Sequence, residues 1–308
     1  MKRAAAAVVA ALAGSLALAA GVAHADDPAV RPTGFEADRE APPPGRAEFS
    51  FDGGGPVTGW AASAQVSYLV APFNLHTSRI EVFPVRQRQT LALGGALAIG
   101  PAIVVDARFP MAHQTGDRVQ GLGDDKPLDR WVFGDLGLGA RLRLVERERF
   151  GAFVRGQVTF GTGNDFELAG EARFTAAWML IGRFMPTERI TIAGTAGVRF
   201  RGREVVVADR LLGDELFGGV GASVQLPAVR GLYCDANNVR LTAEVVGALG
   251  NDVGDKRGPS PVEGKLGVIS RIRPWWAVAA RVSTGLDDQI GAARFRALLE
   301  LVYVGGAR

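Results

Sequence analysis

From residue 61 onward, apolar and polar positions change places at every second residue, as in extended strands with two chemically different faces. In the stretch 188–201, Ile190, Ile192, Ala196, Val198 and Phe200 alternate with Thr191, Thr195, Arg199 and Arg201. In 131–145, Leu136, Leu138, Ala140, Leu142 and Leu144 oppose Asp135, Gly137, Gly139, Arg141 and Arg143. In 167–182, Leu168, Gly170, Ala172, Phe174, Ala176, Trp178 and Leu180 oppose Glu167, Glu171, Arg173 and Thr175. Twelve segments follow this rule: 61–70, 88–99, 102–110, 131–145, 149–161, 167–182, 188–201, 213–226, 239–249, 261–273, 275–285 and 292–304. Most have the roughly ten residues that a tilted membrane-crossing strand needs, and their number is even, as in bacterial outer-membrane barrels.

The connections alternate in length. Gly100-Pro101, 146–148, 185–187 and Pro274 are short, whereas 71–87, 111–130, 202–212 and 250–260 are long. Such barrels carry short turns on the periplasmic side and longer loops outside. The stretches 162–166 and 286–291 are modest for outer loops, and 227–238 is long for a periplasmic turn.

Alternation alone also describes a soluble β-sandwich, whose charged faces meet water on the outside. In a bilayer the charged faces turn inward. Every backbone group must also find a partner there, because hydrocarbon supplies none, and this forces closure. Aromatic residues near segment ends favour the membrane: Tyr68, Phe109, Trp131, Phe150, Trp178, Phe184, Phe200, Trp275, Trp276 and Tyr303 would form interfacial girdles. The predicted fold is all-β, a closed antiparallel up-and-down transmembrane barrel of about twelve strands.

The N-terminus changes where this barrel would reside. Lys2 and Arg3 precede an apolar run from Ala4 to Val22 and the pattern Ala23-His24-Ala25 before Asp26. This reads as a secretory signal peptide, 1–25, cleaved after Ala25, and it directs the chain to the cell outer membrane. A Pro- and Gly-rich periplasmic leader follows over 26–60, and the barrel occupies 61–308. The formal charge of +3 loses two cations with the signal, and the remaining charges are interleaved. No basic stripe suited to a phosphate backbone remains, so no nucleic-acid partner is expected. Cys234 is the single cysteine and reads as a loop thiol, with no disulfide and no metal-ligand spacing around it.

Candidate chemistry lies on the predicted inner face. Arg108, Asp135, Arg141, Arg143, Arg155, Glu171, Arg173, Arg199, Glu244, Lys265, Arg271, Arg281, Arg296 and Glu300 are the lumen-lining candidates. The wider inward set adds Asp106, Arg201, Glu215 and Glu263 among others, and its cations outnumber its carboxylates. A positive, polar lumen favours anions, and a barrel of this size should be narrow. The expected function is therefore a porin-like channel for small solutes with weak anion preference. The alternative is a structural or surface-interaction barrel whose lumen is closed by Arg/Glu ion pairs. No catalytic constellation is assembled: His76 and His113 fall in predicted outer loops without a Ser partner. Gly137-Leu138-Gly139 and Gly219-Val220-Gly221 lie within strands rather than before a helix, and read as packing glycines. Asp117, Asp124, Asp125, Asp129, Asp252 and Asp255 lack fixed metal-ligand spacing and read as solvated loop charge. No cofactor and no metal are expected.

The segment Gly134-Asp135-Leu136-Gly137-Leu138-Gly139-Ala140-Arg141-Leu142-Arg143-Leu144 resembles the barrel region of bacterial OmpA-family outer-membrane proteins, as do Gly161-Thr162-Gly163-Asn164-Asp165-Phe166 and Gly170-Glu171. More loosely, the chain resembles phenol-degradation transporter-like barrels. The likeness spans about residues 60–304 and implies an outer-membrane barrel. Several members of that family carry a C-terminal peptidoglycan-binding domain, whereas this chain stops at Arg308, so cell-wall tethering is not implied. The ending also lacks the terminal Phe or Trp common in such barrels. Outer-membrane lipid, lipopolysaccharide and the barrel-assembly machinery are the expected partners.

Overall fold

The computed structural model describes residues 59–76, 81–117, 128–163, 174–201, 205–207, 210–226, 239–250, 260–273, 276–287 and 293–305. The predicted signal peptide, nearly all of the leader, and Cys234 lie outside the described residues. The described chain forms β1 (Trp60–His76), β2 (Glu81–Ile99), β3 (Ile103–Gly116), β4 (Leu128–Phe133), β5 (Leu136–Glu146), β6 (Phe150–Phe160), β7 (Thr175–Phe184) and β8 (Ile190–Arg201). It continues with β9 (Val205–Val207), β10 (Arg210–Leu212), β11 (Glu215–Gln225), β12 (Val239–Gly250), β13 (Val262–Arg273), β14 (Trp276–Gly285) and β15 (Phe295–Gly305).

Each wall strand pairs antiparallel with its neighbours. β1 and β15 zip together from Trp60↔Gly305 to Val70↔Phe295, so the first and last strands close the sheet on itself. β3 pairs with β5 along Ile103–Arg108 and with β4 along Met111–Gly116. β4 and β5 therefore fill one position in the wall, and the barrel is twelve strands around. β9 and β10 form a separate small hairpin between β8 and β11. Among the described residues no helix is long and apolar enough to cross a membrane, and the wall is built from strands alone.

Three boundaries differ from the sequence pattern. The predicted loop 71–87 is largely strand, because β1 and β2 continue as a paired hairpin to His76↔Glu81. Register shifts at Val70/Phe73 and Phe73/Leu75, with Ala71 at φ 48°, break the strict alternation there and disguise the strand. Likewise β3 runs on to Gly116 across polar residues, which places His113 in a strand rather than a loop. The predicted strand 131–145 is interrupted at Gly134-Asp135. Opposite the break lies Pro110, which has no N–H to donate; its carbonyl accepts from the Gly134 N–H at 2.9 Å.

Burial fixes which face is which. On β8, Thr191, Ala193, Thr195, Arg199 and Arg201 are buried, while Ile192 and Phe200 are exposed. On β13, Glu263 and Lys265 are buried, while Leu266 is 62% exposed. Charge is therefore inside and oil outside, the reverse of a water-soluble sandwich. Phe109, Trp131, Phe150, Trp178, Phe184, Phe200 and Trp276 of the predicted girdle are exposed, and Tyr68 and Tyr303 are half-buried. Trp275 lies outside the described residues. At the closure seam, Tyr303 packs between Trp60 and Trp276, with ring centroids 5.3 and 4.9 Å away. Gly305 supports this seam, since any Cβ there would strike the Trp60 ring.

Candidate functional site: a charged lumen

The inward side chains are ordered in tiers. Near the end that carries the short turns, Glu146 receives Arg143 at 2.7 Å and Arg183 at 2.9 Å. Arg141 and Arg183 both lie over the buried ring of Phe153, at 5.5 and 6.0 Å. A register shift between Arg143 and Val145 turns Glu146 toward these cations. An aromatic face and a shared carboxylate thus hold three guanidinium groups side by side.

At mid-height the contacts reach across strands. Arg155 of β6 donates to Asp106 of β3 at 2.7 Å, passing over Gly139 of β5. Arg108 of β3 donates to Gln65 of β1 at 3.1 Å, passing over Gly94 of β2. At Gly139 the missing side chain permits the span, since a Cβ there would lie 2.5 Å from Arg155 Nη2. Glu244 and Lys265 are buried and face one another in register on β12 and β13. Glu300 is 2% exposed and stands in register with Gln65.

Toward the long-loop end, Arg199 and Arg201 converge on Glu215, and Arg199 lies over the Phe217 ring at 5.3 Å. Arg201 also donates through Nε to the Gly213 carbonyl at 3.1 Å. On the other side, Arg296 grips both oxygens of Glu263 at 2.7 and 3.0 Å, and Glu263 also accepts from the Ala293 N–H at 3.2 Å. Beyond the mouth, the extended β1–β2 hairpin is tied to the end of β3. Arg86 pairs with Asp117 at 2.6 Å, and Arg86 and Arg294 both stack on Phe83.

Most sequence candidates share this interior. Arg108, Arg141, Arg143, Arg155, Arg199, Glu244, Lys265, Arg281, Arg296 and Glu300 all occupy inward positions. Asp135 is buried in the break between β4 and β5, where it accepts the Gly163 N–H at 2.7 Å and ties down the chain after β6. Arg271 takes its place in β13 opposite Ala277. Glu171 and Arg173 lie outside the described residues, as do Asp124, Asp125, Asp252 and Asp255. Asp129 meets His113 at 3.4 Å on the outer surface. The interior also holds Arg88, Arg183 and Glu146, which the sequence candidates omit.

A closed sheet with an apolar exterior, aromatic girdles and an interior of Arg, Glu and hydroxyl side chains is a transmembrane β-barrel. Its fold is similar to that of the COG4313 outer membrane channel from Pseudomonas putida F1, with a TM-score of 0.61 at 12% identity, covering 80% of this chain and 96% of that one. It is also similar to the NanC porin, with a TM-score of 0.52 at 5% identity, covering 80% of this chain and all of that one. No family model matches the chain, and no curated protein matches it in sequence.

Proposed function

We propose that this protein is a narrow channel of the outer membrane, passing small solutes with a weak preference for anions. The supporting observation is the sign of the interior. Among the described residues Arg88, Arg108, Arg141, Arg143, Arg155, Arg183, Arg199, Arg201, Lys265, Arg281 and Arg296 face in, against fewer carboxylates. A cation excess inside a low-dielectric wall lowers the barrier for anions and raises it for cations. The channel and porin barrels of similar fold support the coarse reading of a pore. In this reading the chain is exported by its signal peptide, cleaved after Ala25, and is seated among lipid and lipopolysaccharide.

The experiment is planar-bilayer recording of the purified mature chain under a salt gradient. The expected result is a small conductance with a reversal potential on the anion-selective side. Silence under conditions where a known porin conducts would count against the channel. It would favour a second reading, a structural barrel closed by ion pairs, which the burial of Arg155, Glu215, Glu263 and Arg296 supports.

A further inference from the structure

One row of inward residues stands apart from the ion-paired tiers. Register partners carry it from Thr191 of β8 to Ser223 of β11, Thr242 of β12, Gly267 of β13 and Arg281 of β14. Past Leu298 it continues to Ser67 of β1 and Thr90 of β2. The row contains five hydroxyls, one guanidinium and no carboxylate. Because barrel strands are tilted, a register row slants across the lumen. This one climbs from Thr191, beside a short turn, to Arg281 at mid-height.

Several of its polar groups are shielded and uncommitted. The hydroxyls of Ser67, Thr90 and Ser223 are buried without a hydrogen-bond partner, and so are Nε and Nη1 of Arg281. Among the described residues Arg281 makes no ion pair, although Glu300 lies one inward position along, opposite Ala279. Gly267 gives the Arg281 stem its room, since a Cβ there would come within 2.8 Å of the Arg281 Cγ and 2.7 Å of the Thr242 hydroxyl. A guanidinium offers donors alone, and the rotatable hydroxyls of the row can turn their O–H groups toward the same point, so the ligand that suits them is an acceptor carrying negative charge.

We propose that Arg281, with the Thr242 hydroxyl across Gly267 from it and the Ser223 hydroxyl next along the row, forms a docking site for one small oxyanion, such as inorganic phosphate or a short carboxylate. The proposal rests on the reading of the lumen as solute-accessible, and it replaces a diffuse anion preference with a saturable site. Arg281 holds the charge, and the hydroxyls below it replace the hydration shell that the anion sheds.

The test uses the refolded mature barrel in detergent, with sodium phosphate or sodium acetate exchanged for chloride at constant ionic strength. The thermal unfolding midpoint is followed, because a ligand bound only by the folded state raises it. Wild type is expected to gain stability with a saturating dependence on phosphate. Arg281→Gln should weaken the apparent affinity about tenfold or more, and Arg281→Lys should recover part of it. Retained mobility of unboiled samples in gels establishes that each variant is folded. Should Arg281→Gln not fold, Ser223→Ala with Thr242→Val is expected to weaken binding while keeping the charge. A midpoint indifferent to phosphate and acetate in wild type, or an equal response in Arg281→Gln, overturns the site. Bilayer silence together with phosphate stabilisation that depends on Arg281 would sink the channel and leave the site standing. Conductance without such stabilisation would do the opposite.

Discussion

Asp106 and Arg155 meet at 2.7 Å across a strand to which neither belongs, over the bare Cα of Gly139. A Cβ at Gly139 would lie 2.5 Å from Arg155 Nη2 and 2.7 Å from Asp106 Oδ2, both at the free ends of side chains. Those ends can swing aside, so Gly139→Ala sacrifices the ion pair rather than the wall. At Gly197 the obstacle is the Trp178 carbonyl at 2.5 Å, which belongs to the backbone and cannot yield. At Gly137 only Gln157 lies near, at 3.7 Å. Equilibrium unfolding in detergent should rank Gly197→Ala as the most damaging and Gly139→Ala as intermediate, both within the about 1–3 kcal/mol typical of overpacking. Gly137→Ala should be close to wild type, and a reversed order would refute the spanning geometry.

Glu263 anchors the long-loop mouth by accepting from Arg296, the Ala293 N–H and, at 3.4 Å, the Ser283 hydroxyl. Glu263→Gln removes the charged partner of the bidentate Arg296 contact, and breaking a buried pair in this way costs about 3–5 kcal/mol in comparable cases. Replacing both partners with apolar residues of similar size removes the charge as well as the bond. We therefore expect Glu263→Leu with Arg296→Met to be more stable than Glu263→Gln alone. Urea unfolding of the three proteins measures this, and a double variant weaker than the single would show that the pair is a net stabiliser.

The barrel was legible because its period-2 pattern survives wherever the ladder is regular. β6, β8 and β11 to β15 begin and end within a few residues of the pattern. Legibility fails where something shifts the phase. Trp131 and Phe133 face out from odd positions, while Leu138 and Leu142 face out from even ones. That phase change marks the interruption at Gly134-Asp135 and could have been read from the sequence. Arg88 and Arg183 also keep the phase of their inward neighbours and could have been found. Glu146 could not, because the register shift after Arg143 that turns it inward leaves no mark in composition. Which inward carboxylate pairs with which cation depends on side chains crossing intervening strands, and linear spacing carries no record of that.

Arg86 and Asp117 tether the β1–β2 hairpin, yet their side chains are 57% and 34% exposed. Solvent screening limits such a pair to about 0–1 kcal/mol. Arg86→Ala should therefore leave the unfolding midpoint nearly unchanged. Asp117→Ala also removes the acceptor of the Phe83 N–H at 3.1 Å, and hydrogen exchange at that amide should accelerate. Exchange at Phe83 unchanged in Asp117→Ala would show that the hairpin holds itself by its own ladder.

Val220 and Val224 both face out from β11, at 57% and 45% exposure, one at the middle of the strand and the other near the barrel end that carries the short turns. If water covered this face, an Arg at either position would cost little, and about equally. In a bilayer the cost depends on depth: about 2–4 kcal/mol for Arg at the midplane and about 0–1 near the interface, where the side chain can reach the headgroups. Val220→Arg should lower folding stability into lipid vesicles by the larger amount and reduce recovery in the outer-membrane fraction. Val224→Arg should nearly match wild type in both. The inner face supplies the control, because Thr195, buried in the lumen on the neighbouring β8, lies beyond the reach of lipid. Thr195→Ser should be neutral whatever the vesicle thickness, whereas the Val220→Arg penalty should grow in thicker bilayers. Equal, small costs at both outward positions would remove the membrane from the account of this barrel.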